Sequence, residues 1–269
     1  MDPLRVVTFT ERPDLRDAVS RLHGEAWPPF QSKGAVVQRY WNALYTDFPE
    51  FQFALLNDEA GPVAAGNTIP LRWDGQVTTL PEGWDDAVEC AFAPHAGAGD
   101  TLCALAAVTR SDYQRAGLSA CVIEEMKNVA TRHGFRRLIA PVRPTWKARY
   151  PLTLIGRYAT WRRPDGTAFD PWLRVHLRLG GVILRTAPRS TVIEGAVAQW
   201  EEWTAMSFPG SGSYVVPGAL SPIQIDTDAD RGVYVEPNIW VLHRLSNEAT
   251  GTAGYRAVLP NAPAVVRKG

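Results

Sequence analysis

Leu102-Cys-Ala-Leu-Ala-Ala-Val108, continuing as Thr-Arg-Ser-Asp-Tyr-Gln-Arg-Ala-Gly117-Leu-Ser119 and on to Gly134, is the stretch that decides the architecture. Residues 102–108 are apolar without alternation, the pattern of a strand buried on both faces in the middle of a sheet. Leu118, Val122, Met126, Val129 and Ala130 then recur three and four apart, one face of a helix over Leu118 to His133 that Gly134 closes. Leu138-Ile-Ala-Pro-Val142 reads as the next strand. This strand, loop, helix, strand unit predicts two adjacent strands of one sheet joined by a helix packed across it.

Upstream, Arg5 to Phe9 predicts an opening strand, and Leu15, Ala18, Val19, Leu22 and Ala26 mark one face of a helix over Asp14 to Ala26. A second helix is expected over Val36 to Leu44. Phe51 to Leu56 and Val63 to Trp73 form a hairpin around the turn residues 57–61. Residues 74 to 100 are rich in Pro and Gly around one helical stretch, Trp84 to Phe92, and are read as an insertion. Downstream, a Pro/Arg/Trp-rich loop (Pro141 to Pro171) leads to a helix from Pro171 to Leu179, ended by Gly180-Gly181. Val182 to Ile193, Tyr214 to Val216 and Val233 to His243 are strand material, and Ala196 to Met206 is a further helix. The order predicts a mixed α/β fold. The expected division is a core over residues 1–188, an elaboration over 189–245 that completes the sheet and a cavity, and an irregular tail over 246–269.

Of the 269 residues, 45% are hydrophobic and 21% charged, enough apolar surface for a core. The 28 Lys and Arg balance the 28 Asp and Glu, which argues against a dedicated nucleic-acid binder or a protein adsorbed on anionic membrane. Charges at Asp2, Arg5, Glu11, Arg12 and Asp14 do not fit a signal peptide, and the longest apolar run is far short of the ~20 residues that cross a bilayer. Cys90, Cys103 and Cys121 lack CxxC spacing and cannot all pair, so a cytoplasmic chain without a disulfide framework is expected. The five His residues show no metal-binding spacing, Gly97 and Gly99 lack the third Gly of a dinucleotide fingerprint, and Gly210-Ser-Gly-Ser is not a nucleophile elbow.

The chemistry centres on the loop into the helix at Leu118. The first N–H groups of a helix lack partners and its dipole is positive there, so a Gly-containing entry favours a phosphate. Gln114-Arg-Ala-Gly117-Leu-Ser119 resembles the pyrophosphate loop of the GNAT superfamily of acyl-CoA-dependent N-acyltransferases, Gln/Arg-x-x-Gly-x-Gly/Ala, departing from it at Ser119. The resemblance spans roughly Arg5 to Pro188 and implies a GNAT-like fold: a mostly antiparallel sheet flanked by helices, here with an insertion and a C-terminal extension. It implies acetyl-CoA or another acyl-CoA as cosubstrate and a small-molecule amine as acceptor, in a monomer or homodimer with no metal. By the same resemblance the strands around Leu102 and Leu138 diverge to admit the thioester. Leu105, Ala106 and Val108 contact thioester and pantetheine, while Gln114, Arg115, Ala116, Gly117, Leu118 and Ser119 hold the pyrophosphate.

The family ends its later helix with Tyr, three residues and Gly; His176-Leu-Arg-Leu-Gly180 stands in that place, so an imidazolium at His176 is the expected donor to the leaving thiolate. Neither central strand has a carboxylate. Glu89 and Glu236 are the candidates for a general base, each read first as an exposed surface charge. Arg143, Lys147, Arg149, Arg157 and Arg162 beside Trp146, Tyr150, Tyr158 and Trp161 form a cation and aromatic loop suited to an anionic or acyl group, or to covering the sheet. A CoA-binding module without turnover, and a thioester hydrolase or decarboxylase, are the alternatives that the missing sheet carboxylate also fits.

Overall fold

The computed structural model describes residues 4–94, 99–113 and 117–245. Its strands are β1 (Arg5–Thr8), β2 (Gln52–Asn57), β3 (Gly61–Leu71), β4 (Thr101–Thr109), β5 (Arg137–Val142), β6 (Val182–Gly195), β7 (Gly212–Tyr214), β8 (Ile223–Asp226) and β9 (Arg231–Arg244). The helices are α1 (Arg16–Ala26), α2 (Ala35–Tyr40), α3 (Leu44–Asp47), α4 (Trp84–Phe92), α5 (Leu118–Arg132), α6 (Ile155–Ala159), α7 (Pro171–Arg178) and α8 (Val197–Thr204). One sheet of nine strands runs β1-β2-β3-β4-β5-β9-β8-β7, with β6 also paired to β9. Every ladder is antiparallel except β4 with β5, so the sheet is the mixed, mostly antiparallel one that the resemblance implied.

Helices cover both faces. On one, α5 buries Leu118, Val122, Met126, Val129 and Ala130 against Leu102, Ala104, Leu138 and Ala140, joined by Ile155 and Tyr158 of α6 and Leu173 of α7. That apolar stripe of α5 is the one read from the spacing. On the other face α1 packs Val19 and Leu22 over Val108 and Ala65, while α4 packs Trp84, Ala87, Val88 and Ala91 over Ile69, Cys103 and Trp240. A third cluster, around Phe30, Trp200, Ile225 and Tyr234, seats α8 on the far end of β9. The segment read as an insertion thus contributes a core helix, anchored where Trp240 Nε1 and Arg185 donate to the Pro81 carbonyl.

Departures from expectation are local. The helix expected over residues 36–44 is two pieces, because the chain turns at Trp41 to Ala43 and the Asn42 carbonyl restarts it by accepting from Tyr45 N–H. The long loop contains α6, and β8 is a strand that four alternating residues, Ile-Gln-Ile-Asp, did not announce. α7 begins as read: Pro171 is its first residue, and Asp170 Oδ1 accepts from the N–H groups of Trp172 and Leu173. The tail over residues 246–269 lies outside the described residues. No helix among the described residues is long and apolar enough to cross a membrane.

Candidate functional site

β4 and β5 are matched over three positions only, Thr101 with Arg137, Leu102 with Leu138 and Cys103 with Ile139. Past that seam β4 continues along β3 to Thr109 and β5 along β9 to Val142, so the two strands part and leave a wedge between their C-terminal halves. Pro141 lies two residues beyond the last match and has no N–H with which to extend a ladder. At the same level β4 carries a bulge: Asn67 faces Ala106 and Thr68 faces Ala104, leaving Leu105 as the extra residue. The Leu105 carbonyl accepts from the buried Trp84 indole at 2.9 Å, which fixes the bulge from the α4 side.

The loop leaving β4 at the open end of the wedge leads into α5. Gly117 caps that helix with φ +82°, a left-handed conformation that any Cβ would strain. Leu118 is buried under the sheet and Ser119 is half-buried. Gln114, Arg115 and Ala116 fall outside the described residues. Leu105, Ala106 and Val108 are buried along β4, with Val108 in the α1 cluster.

Two polar clusters lie on the face covered by α1, α2 and α4. In the first, Gln52 is pinned by the backbone: its Nε2 donates to the carbonyls of Phe48 and Thr68, and its Oε1 accepts from Thr68 N–H. Asn67 Nδ2 must therefore donate to Gln52 Oε1 and to Tyr45 Oη, which leaves Asn67 Oδ1 facing His23 Nε2 at 2.9 Å. Burial lowers the His23 pKa to about 4 and raises Tyr45 to about 12. Trp27 and Trp41 pack on the same imidazole, 4.9 and 5.2 Å between ring centres.

The second cluster surrounds Glu236 on β9. It is not the surface charge expected from the sequence: it is 1% exposed, because it lies inside the sheet and is held by partners distant in sequence. Arg143 Nε donates to Oε2 at 2.9 Å, Tyr234 Oη donates to Oε2 at 2.9 Å, and Gln31 Nε2 donates to Oε1 at 3.0 Å. Arg143 also donates to the Gly218 carbonyl. Both oxygens of Glu236 are thus engaged by side-chain donors. Glu89 is exposed on α4. One helical turn earlier, Asp85 takes Val192 N–H at 2.8 Å; burial pushes its pKa up to about 6 against that bond and one from Thr191, with Glu89 and Glu236 adding repulsion. Asp85 lines a cavity of about 400 Å³ with Lys33, Val36, Gln38 and Glu194.

His176 is buried as the sheet-facing reading of α7 requires, but not as an imidazolium. Its Nδ1 lies 3.0 Å from His243 Nε2, and burial, then the His243 charge, lowers its pKa to about 3. His243 sits opposite Leu138, level with the closed end of the wedge, so the pair is away from the open end. The expected cationic donor is thus corrected: an imidazole enclosed in apolar surroundings stays neutral at pH 7. His23, Asn67 and Asp85 were missed, while Arg143, read as part of a cation and aromatic loop, pairs with Glu236. The available signals were His23 four residues after Val19 on an apolar helix face and Asn67 in the otherwise apolar β3.

No family model matches the chain. It is 32% identical over 270 residues to the arginine N-acetyltransferase avaD of Aspergillus versicolor, covering 88% of this chain and 92% of the relative. Among solved structures it resembles the loading GNATL domain of CurA from Lyngbya majuscula, with TM-score 0.56, 18% identity, and 90% of this chain and 96% of that one covered. It also resembles the GphF GNAT-like decarboxylase in complex with isobutyryl-CoA, with TM-score 0.54, 18% identity, and 90% and 100% covered. At 18% identity the likeness to those two structures is one of fold. The chain belongs to the GNAT superfamily of acyl-CoA-dependent N-acyltransferases.

Proposed function

We propose that the protein transfers an acyl group, acetyl in the first instance, from a CoA thioester to a nitrogen of a small-molecule acceptor. The observation that carries this reading is the wedge: β4 and β5 separate after Cys103 and Ile139 beside the Leu105 bulge, where backbone groups released from a ladder can hold a thioester in register. The backbone of Leu105, Ala106 and Val108 lines the β4 side, and Gly117, Leu118 and Ser119 open α5 toward the diphosphate. The acceptor nitrogen attacks the thioester carbonyl, the tetrahedral adduct collapses, and the CoA thiolate leaves as the new C–N bond is kept. The proton lost by the nitrogen goes to solvent or to a nearby base, and the thiolate takes one up. The polar clusters around Asn67 and Glu236 support an acceptor side on the face covered by α1, α2 and α4, opposite α5. The relative named an arginine N-acetyltransferase makes arginine the first acceptor to try.

The test is release of free CoA thiol from acetyl-CoA with and without arginine, with the acylated product followed by mass spectrometry. Acceptor-dependent release with stoichiometric acyl-arginine, or an acyl product of another amine in a panel, is the expected result. Release independent of any acceptor would assign hydrolysis instead, and calorimetry without CoA binding at millimolar concentration would remove the reading altogether.

A further inference from the structure

Three buried side-chain oxygens receive no hydrogen bond among the described residues: Gln31 Oε1, Asp85 Oδ1 and Asn238 Oδ1. All three belong to the patch around Glu236. Gln31 donates to Glu236 Oε1 through Nε2, and turning its amide over would set oxygen against carboxylate, so Oε1 is fixed as the free end. Asn238, 3% exposed and two residues along β9 from Glu236, donates through Nδ2 to the Pro141 carbonyl at 3.1 Å, which fixes its Oδ1 in the same way. Asp85 spends Oδ2 on Val192 N–H, next to Thr191, the strand partner of Glu236. Asn238 ties the patch to Pro141, at the edge of the wedge, and Asp85 ties it to the cavity wall.

Each of these atoms can only accept, or in the case of Asp85 accept until protonated, and a buried acceptor without a donor costs on the order of 1–3 kcal/mol. Among the described residues the charges facing them are Glu236 paired with Arg143, Asp85 with no salt bridge, and Lys33 on the cavity wall; Glu89 is exposed, and Glu194 pairs with Arg231. The patch is therefore rich in acceptors and carries one uncompensated negative charge.

We propose that Gln31, Asp85 and Asn238 form the seat of a planar, multi-donor cation on the acceptor, a guanidinium, whose N–H groups fill the three free oxygens and whose charge answers Asp85. The proposal rests on the acyl-transfer reading above, because it places this seat at the wedge edge where an acceptor must come. A compact ammonium offers three donors in a cone, whereas a guanidinium spreads five in a plane and reaches acceptors on separate elements. Asp85 is then a binding residue.

The test is calorimetric titration of L-arginine and of its uncharged ureido isostere L-citrulline into protein saturated with CoA, so that no turnover occurs. Wild type is expected to bind arginine at least about tenfold tighter than citrulline, a preference worth about 1.4 kcal/mol. Asp85→Asn should collapse that preference while leaving CoA affinity unchanged. It should also keep or raise the melting temperature of the unliganded protein, since it removes an unpaired buried charge, where loss of a merely structural carboxylate would lower it. Equal affinity of wild type for the two ligands, or an undiminished preference in a folded Asp85→Asn variant, overturns the proposal. If that variant does not fold, Asn238→Leu and Gln31→Met take its place with the same readout. Absence of CoA binding in the wild type would instead strike the acyl-transfer reading, so the two failures are told apart by the first titration.

Discussion

His176 and His243 share one buried hydrogen bond, and His23 sits in another enclosed network; burial depresses all three, to about 3, 4 and 4. A histidine whose folded pKa is lowered binds fewer protons when folded than when unfolded, so stability is full above ~6.5 and falls as pH drops toward the folded value. Between those limits each such histidine contributes a slope of about 1.4 kcal/mol per pH unit. Urea unfolding at pH 7, 6 and 5 should show the decline, and His176→Gln should flatten it by about one histidine's share; an unchanged slope would contradict the assignment. Gly117 supports a second expectation. With φ +82° and no atom of the described residues beyond its chain neighbours within 4 Å of the place a Cβ would take, Gly117→Ala is expected to cost backbone strain, about 1–2 kcal/mol by chemical denaturation. At this scale the sequence was least legible. Asn67 and His23 look like interruptions of apolar patterns until their contacts are known, and Glu236 resembles any surface Glu because its partner Arg143 lies 93 residues away.

Among elements, the bulge of β4 and the helix α4 act as one unit, because the Trp84 indole donates to the carbonyl of Leu105. Trp84→Phe keeps a ring and removes the donor. The expected loss is about 1 kcal/mol in stability, with a fall in kcat larger than any change in KM for acyl-CoA if the bulge positions the thioester. The ion pair that joins β5's exit to β9 is a harder constraint. Arg143→Met strands Glu236 in the interior and should cost about 3–5 kcal/mol, whereas changing both partners to well-packed apolar residues should recover much of it; equilibrium unfolding of the single and double variants checks this. Elements with strong patterns were readable: the unalternating apolar run of β4, the stripe of α5, and the helix opened by Pro171, α7. α6 was hidden in a loop whose Pro and Arg content suppresses any periodic signal, and β8 is too short to show one.

For the whole molecule, the order of elements from β1 to α7 carried enough pattern to suggest the superfamily and its sheet. The placement of β9 beside β5 did not follow from pattern, because it is set by pairing across more than ninety residues. Since CoA binds only the folded chain in this reading, it should stabilise by about 2.7 kcal/mol at a hundredfold excess over its Kd, seen as a higher melting temperature, and no shift at saturating CoA would count against the wedge as its site. The seam has a mechanical meaning as well. Four strands lie on one side of it and five on the other, and among the described residues strand pairing joins the two plates at three positions, with one more backbone bond from Arg136 N–H to the Asp100 carbonyl and α5 lying across the join. Such a sheet resembles a book bound along a short spine. A molecule lodged in the gap acts as an added binding, so the amide protons most slowed by it would include those of Ala104 to Val108, Ala140 and Val142, well beyond the atoms it touches, and the pages would turn together.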